Sequence, residues 1–277
     1  MVRPREESNI QATQAYYTRG NERERLSGPS GSIEFERTKD ILQRFLPPSP
    51  ANIADIGGGP GRYALWLAER GYRVYHRDLI GLHVQQLQSD LLERPSLAID
   101  TAVADARRLN LPDASVDAAL LLGPLYHLPR RPDRVDVLVE ARRISKPGGL
   151  VVAAAISRWA ARLDGVIAQK LYERIPEAQR ALPNLERTGW IQPLFPGSFT
   201  GYSHRPGQLR AEARAAGLQV LSVVGVEGVS FLLADLAERI ADPQVLQVLL
   251  DSARAVEAVP ELLGVSPHLL IIARRPG

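Results

Sequence analysis

The sequence contains no cysteine. Disulfides, thiolate zinc sites and cysteine nucleophiles are therefore excluded. Lysine is scarce too: Lys39, Lys146 and Lys170 are the whole complement, and every other basic side chain is arginine. No apolar run approaches the roughly 20 residues of a membrane-spanning helix. The first residues, Met1 to Glu7, are polar and lack the apolar stretch of a signal peptide. These absences predict a cytoplasmic protein without a membrane partner. A strong charge imbalance is also missing: 34 basic against 31 acidic residues leave +3. Nucleic-acid binders usually cluster their charge. Here Arg130-Arg131, Arg134 and Arg142-Arg143 are interleaved with Asp133, Asp136 and Glu140, the pattern of a solvated helix face. Nucleic acid is thus disfavoured as a partner.

What is present is an ordinary globular composition, 45 % apolar and 23 % charged, over 277 residues. That length suits one α/β domain with insertions. Phe35, Thr38, Leu42 and Phe45 fall on one helical stripe that Pro47-Pro48 ends. An alternation follows: strand Ala51–Ile56, helix Arg62–Arg70, strand Arg73–Asp78, helix Val84–Leu92, strand Ala98–Ala104. The apolar strand Val116–Leu122 comes next, then a helix through Val137, Ala141 and Ile144, and a fifth strand Leu150–Ile156. Strands alternating with helices imply a parallel, doubly wound sheet. Two later strands are expected at Leu218–Val226 and His268–Ala273, with a helical segment, 231–263, between them. Residues 157–205 predict a helix around Leu163, Ile167 and Leu171, then an irregular Pro-rich stretch from Pro183 through Trp190, Phe195 and Phe199 to His204.

The most informative stretch is Asp55-Ile56-Gly57-Gly58-Gly59-Pro60-Gly61, a glycine turn between strand and helix. Such a turn admits a ligand close to the backbone and aims helix N–H groups at it. It does not by itself name the ligand. Gly59, Gly61 and Ala64 satisfy a G-x-G-x-x-A dinucleotide pattern, and Asp78 lies near the spacing of a ribose-binding acid. An NAD-dependent dehydrogenase therefore passes the local test. Three acids end three successive strands: Asp55, Asp78 and Asp105. They suit an amine, a ribose and an adenine amino group, and Asp55 would repel a pyrophosphate.

At this point the sequence resembles the class I S-adenosylmethionine-dependent methyltransferases. The loop at 55–61 is similar to their first motif, Asp78-Leu79 to the acidic end of their second strand, and Ala104-Asp105-Ala106 to their adenine-contacting segment. Asp117 to Leu128 is similar to their fourth motif, and Ile144 to Gly149 to the turn before their fifth strand. The resemblance covers about residues 51–157. Glu34 to Thr38, Leu122 to Leu128 and Leu263 to Ser266 further resemble a bacterial subgroup of unassigned substrate.

The resemblance implies a Rossmann-like, seven-stranded sheet, mostly parallel with its last strand antiparallel, in a single domain over residues 32–277. Insertions fall at about 157–205 and 229–263, and residues 1–31 form an N-terminal lid. It implies S-adenosyl-L-methionine as cofactor, held by Asp55, Gly57, Gly58, Gly59, Gly61, Asp78, Leu79, Asp105, Ala106 and Leu122, with Tyr17 closing over it. Tyr126 and His127 follow the fourth strand, where such enzymes place their acceptor, and His127 is the candidate base. Tyr16, Trp159, His204 and Glu227 are candidate substrate contacts. The aromatic residues of the insertion predict a pocket for an apolar or aromatic metabolite methylated on oxygen or nitrogen. Amine-methylating relatives carry Asn/Asp-Pro-Pro-Tyr/Phe where this chain has Gly123-Pro124-Leu125-Tyr126, which argues against RNA or protein acceptors. A non-catalytic cofactor-binding regulator is the remaining alternative. No histidine spacing indicates a metal site, and a monomer or homodimer is expected.

Overall fold

The structure, a computed structural model, describes residues 13–17, 22–195 and 198–277. Much of the expected N-terminal lid, residues 1–12 and 18–21, lies outside the described residues. The first long helix, α1 (Pro29–Phe45), has Pro29 at its first position and buries Ile33, Phe35, Ile41 and Leu42. It starts earlier than the stripe predicts.

The strands β1 (Asn52–Ile56), β2 (Arg73–Asp78), β3 (Ile99–Val103), β4 (Val116–Leu121) and β5 (Ser145–Ser157) are joined through helices α2 (Arg62–Ala68), α3 (Gly81–Leu92) and α4 (Arg131–Ile144). They pair in parallel in the order β3-β2-β1-β4-β5. The order reverses beside β1, and the carboxyl ends on either side of that reversal form a crevice.

Strand alternation divides the core in two. Ala54, Ile56, Ala119 and Leu121 face α4 and its Val137, Leu138 and Ala141. Ile53, Ala118, Leu120 and Val152 face α1 and α2 through Leu42, Ala64 and Leu67.

The chain then builds helix α5 (Pro176–Thr188), a hairpin of β6 (Trp190–Ile191) and β7 (Gly201–His204), helix α6 (Pro206–Ala215) and strand β8 (Gln219–Gly225). Helix α7 (Pro243–Val256) and strand β9 (His268–Arg274) follow. Strand β9 runs antiparallel to both β5 and β8, completing the expected seven strands. The hairpin is an addition. The thirteen-residue β5 outruns the sheet, and its Ile156 and Ser157 pair in parallel with Ser203 and His204.

The Pro-rich stretch departs from expectation: Pro183 lies inside α5. Ala178, Leu182 and Leu185 bury one face of this helix, while Pro183 is exposed on the other. Burial of the amphipathic face outweighs the hydrogen bond that proline cannot make. Among the described residues, no helix is long and apolar enough to cross a membrane.

Candidate active site

The glycine loop at residues 57–61 joins β1 to α2. Gly57, Gly59 and Gly61 have φ of 66°, 58° and 87°, a region that other residues seldom occupy. Close approach adds a second constraint. A Cβ on Gly57 would lie 2.7 Å from Pro124, and one on Gly58 would lie 2.5 Å from Asp55. Gly61 is different, because its Cβ would meet Leu87 of α3 at 2.6 Å. It serves helix packing and does not line the crevice.

Along the loop lies a pocket. Gly57, Gly58, Gly59, Asp78, Leu79, Asp105, Ala106 and Leu122 line one part of it, and Tyr17, Tyr126 and His127 another. Asp78, at the end of β2, accepts from the amides of Gly59 and Ile80 at 2.8 Å each and is 3.1 Å from His83 Nδ1. Burial alone would raise its pKa, but the His83 contact and the amides outweigh that and hold it below the usual range. Asp105 accepts from the Arg107 amide at 2.9 Å and from its guanidinium at 2.7 Å. It too is held low despite burial. Both carboxylates are thus anionic walls of the pocket, suited to donors such as ribose hydroxyls and an amino group.

Asp55 does not join them. It is fully buried and outside the pocket lining. Alternation turns it, with Ile53, toward the α2 side of the sheet, beneath Gly58. Neither carboxylate oxygen has a hydrogen bond of good geometry. Burial first, and Asp78 second, push its pKa up to about 7, and the Ala64 amide offsets only part of this. The expected contact of Asp55 with a ligand amine, and its repulsion of a pyrophosphate, are therefore withdrawn.

After β4, residues Pro124–His127 form a single 3-10 turn. Tyr126 Oη donates to the Leu122 carbonyl at 3.3 Å, and burial raises its pKa. Burial also pushes His127 down to about 4, against an opposing pull from Asp78, so its imidazole is neutral at physiological pH. Tyr17 Oη is 2.8 Å from His127 Nε2, a hydrogen bond between positions 110 residues apart. Tyr17 also packs edge-on against His83 and Tyr16. Phe199 of the insertion contacts Tyr16, Tyr126 and His127. The N-terminal segment and the insertion thus meet over the turn that follows β4. Tyr16 contributes a ring to this cluster but does not line the pocket.

The other three candidates lie elsewhere. Trp159 is 40 % exposed and packs beside Gly264 and Arg205. His204 is fully buried and 3.1 Å from Glu212. Glu227 is buried against Ser266 and His268. In the last two cases side chains of other elements claim the polar group, Glu212 eight residues on for His204 and Ser266 and His268 about forty residues on for Glu227.

Sequence reasoning missed Arg25, Glu22 and Tyr63, which line the pocket. Arg25 donates to Glu22 and Glu34 at 2.6 Å each. Glu34, Glu227 and His268 have the composition of a cation site, but partners already hold them. Burial alone would lower His268, yet Glu227 and Glu34 outweigh it and push it up to about 9. The cluster is an ion-pair network behind the pocket wall.

Residues 54–153 match the family described as a methyltransferase domain. The sequence is 34 % identical over 138 residues to a ubiquinone/menaquinone biosynthesis C-methyltransferase of Acidiphilium cryptum, covering 49 % of this chain and 53 % of that one. The chain spans about half the length of the C-methyltransferase relatives of this kind that it matches. It is 25 % identical over 269 residues to a 27-O-demethylrifamycin SV methyltransferase of Amycolatopsis mediterranei, covering 89 % and 86 %. A crystal structure of a 1,6-didemethyltoxoflavin-N1-methyltransferase from Burkholderia thailandensis superposes with a TM-score of 0.60 at 14 % identity, covering 100 % and 92 %. At that identity the likeness shows the fold.

Proposed function

We propose that this protein, whose residues 54–153 match a methyltransferase domain, uses S-adenosylmethionine to methylate an oxygen or nitrogen of a small, apolar or aromatic metabolite. One observation carries the reading: a single pocket joins the glycine loop and the Asp78 and Asp105 carboxylates to Tyr126 and His127. The residues present fit the cofactor. A Cβ at Gly57 would run into Pro124 of the pocket wall, and Asp78 and Asp105 offer acceptors to a ribose and an amino group.

When bound, S-adenosylmethionine supplies a methyl already activated on sulfur. The chain's residues then bind, orient and exclude water. Asp78 would accept from ribose hydroxyls, Asp105 and Ala106 would hold the adenine edge, and Leu79 and Leu122 would supply apolar wall beside it. Tyr17 closes the pocket. His127 would take the acceptor's proton at Nε2 in place of its contact with Tyr17; with burial holding it down to about 4 it is a weak base, suited to an acceptor whose proton is already acidic. The aromatic walls suit an apolar or aromatic acceptor.

The test is to incubate the protein with S-adenosylmethionine and a panel of phenols, hydroxylated polyketides and heteroaromatic amines, following S-adenosylhomocysteine by mass spectrometry. The expected outcome is release of S-adenosylhomocysteine with one methylated product. Placing the new methyl by NMR separates oxygen or nitrogen from carbon, the acceptor named for the Acidiphilium relative. For a base role, His127→Asn lowers kcat by about 10²–10⁴. Turnover on RNA or peptide with none on small molecules would reject the proposal.

A further inference from the structure

A buried arginine sits directly under the turn assigned above to the acceptor. We propose that Arg134 is the positioning residue of the Tyr126–His127 turn, and that through it the β6–β7 hairpin braces that turn.

Arg134 lies in the first turn of α4, with its side chain 2 % exposed. Its Nη1 donates to the carbonyls of Leu128 and Pro129 at 2.8 and 2.9 Å, the two residues directly after His127. Its Nε and Nη2 donate to Glu212 of α6 at 3.0 and 2.6 Å. Its guanidinium lies 3.6 Å from the centroid of the Tyr202 ring, on β7. Arg158 lies 5.7 Å from the same ring and donates to the Ser203 and Glu186 carbonyls. The hairpin also presses on the turn directly. Gly201 is so near Tyr126 that a Cβ there would lie 2.4 Å from the Tyr126 carbonyl oxygen. One side chain therefore ties the turn to three elements.

Burying a guanidinium does not by itself favour stability. Arginine earns the position geometrically, because its rigid five-donor fork meets a carboxylate and two carbonyls at once. A lysine ammonium has three donors and no fork. The Arg134–Glu212–His204 chain does not line the pocket, so these residues act through the turn.

The experiment follows the pH titration of the His127 Cε1 resonance by NMR, assigned with His127→Asn. Among the described residues, the groups facing this imidazole include Tyr17, Tyr126, Phe199, Asp78 and Arg25. None is altered in the variants used. In the unaltered protein His127 stays neutral down to about pH 4. In Arg134→Lys the turn loosens and water reaches the ring, so the midpoint rises by one unit or more, a tenfold change in proton affinity. Gly201→Ala, which displaces the Tyr126 carbonyl, moves it the same way and carries the test if Arg134→Lys fails to fold. A folded variant with lower thermal stability and an unchanged His127 midpoint overturns the proposal, because that is the signature of a merely structural arginine. The role of the turn in methyl transfer rests on the reading above. The titration does not, so its failure and a lack of turnover are distinguishable.

Discussion

Asp55 has the most unusual environment of the acids along the crevice. Its carboxyl is raised to about 7 by burial and by Asp78, against an ordinary value near 3.9 in an unfolded chain. Between about pH 4 and 7 the folded protein holds a proton that the unfolded chain has released. Stability therefore falls as pH rises through that window and levels off above it. The shift is worth at most about 4 kcal/mol. Asp55→Asn removes this term. Urea unfolding at pH 5 and pH 8 should show the variant gaining roughly 1–3 kcal/mol on the parent between the two conditions. Equal pH dependence of the two proteins would show that Asp55 is ionised in the fold. The sequence marked Asp55 as special but misdirected it toward the ligand. Alternation along Ile53, Asp55 and the facing α2 held the correct direction, and the motif drew attention away from it.

At the scale of elements, the N-terminal segment meets the insertion over the β4 turn. Tyr17 contributes a hydrogen bond to His127, and such a bond is worth about 1 kcal/mol net. Tyr17→Phe should weaken S-adenosylhomocysteine binding about threefold to tenfold by calorimetry. Deleting residues 1–21 removes both tyrosines and should cost more than tenfold. Unchanged affinity in both would reject a closing role for this segment. The sheet was legible because its signals are local: apolar runs at β4 and β5, and glycines after β1. Pro183 was misread because its own backbone preference was weighed above the Ala178, Leu182 and Leu185 stripe around it. Arg25, Glu34 and His268 form their network through contacts between α1, β9 and the segment before them. No spacing rule along the chain brings those three together.

At the scale of the whole molecule, the pocket suits S-adenosylmethionine better than a dinucleotide. The glycine pattern through Gly59, Gly61 and Ala64 admitted both. Its geometry weakens the dinucleotide reading, since Gly61 faces Leu87 of α3 instead of a ligand. A ligand that binds only the folded state at a hundred times its dissociation constant adds about 2.7 kcal/mol. In a chain of this size that raises the unfolding temperature by roughly 5–10 °C. S-adenosylhomocysteine should do so, and NAD should not. The most direct measurement is isothermal titration calorimetry of the full chain with each ligand in turn. The chain should show saturable 1:1 binding of S-adenosylhomocysteine, weakened by Asp78→Asn, with no heat of binding for NAD. Tight NAD binding with no S-adenosylhomocysteine binding would contradict it.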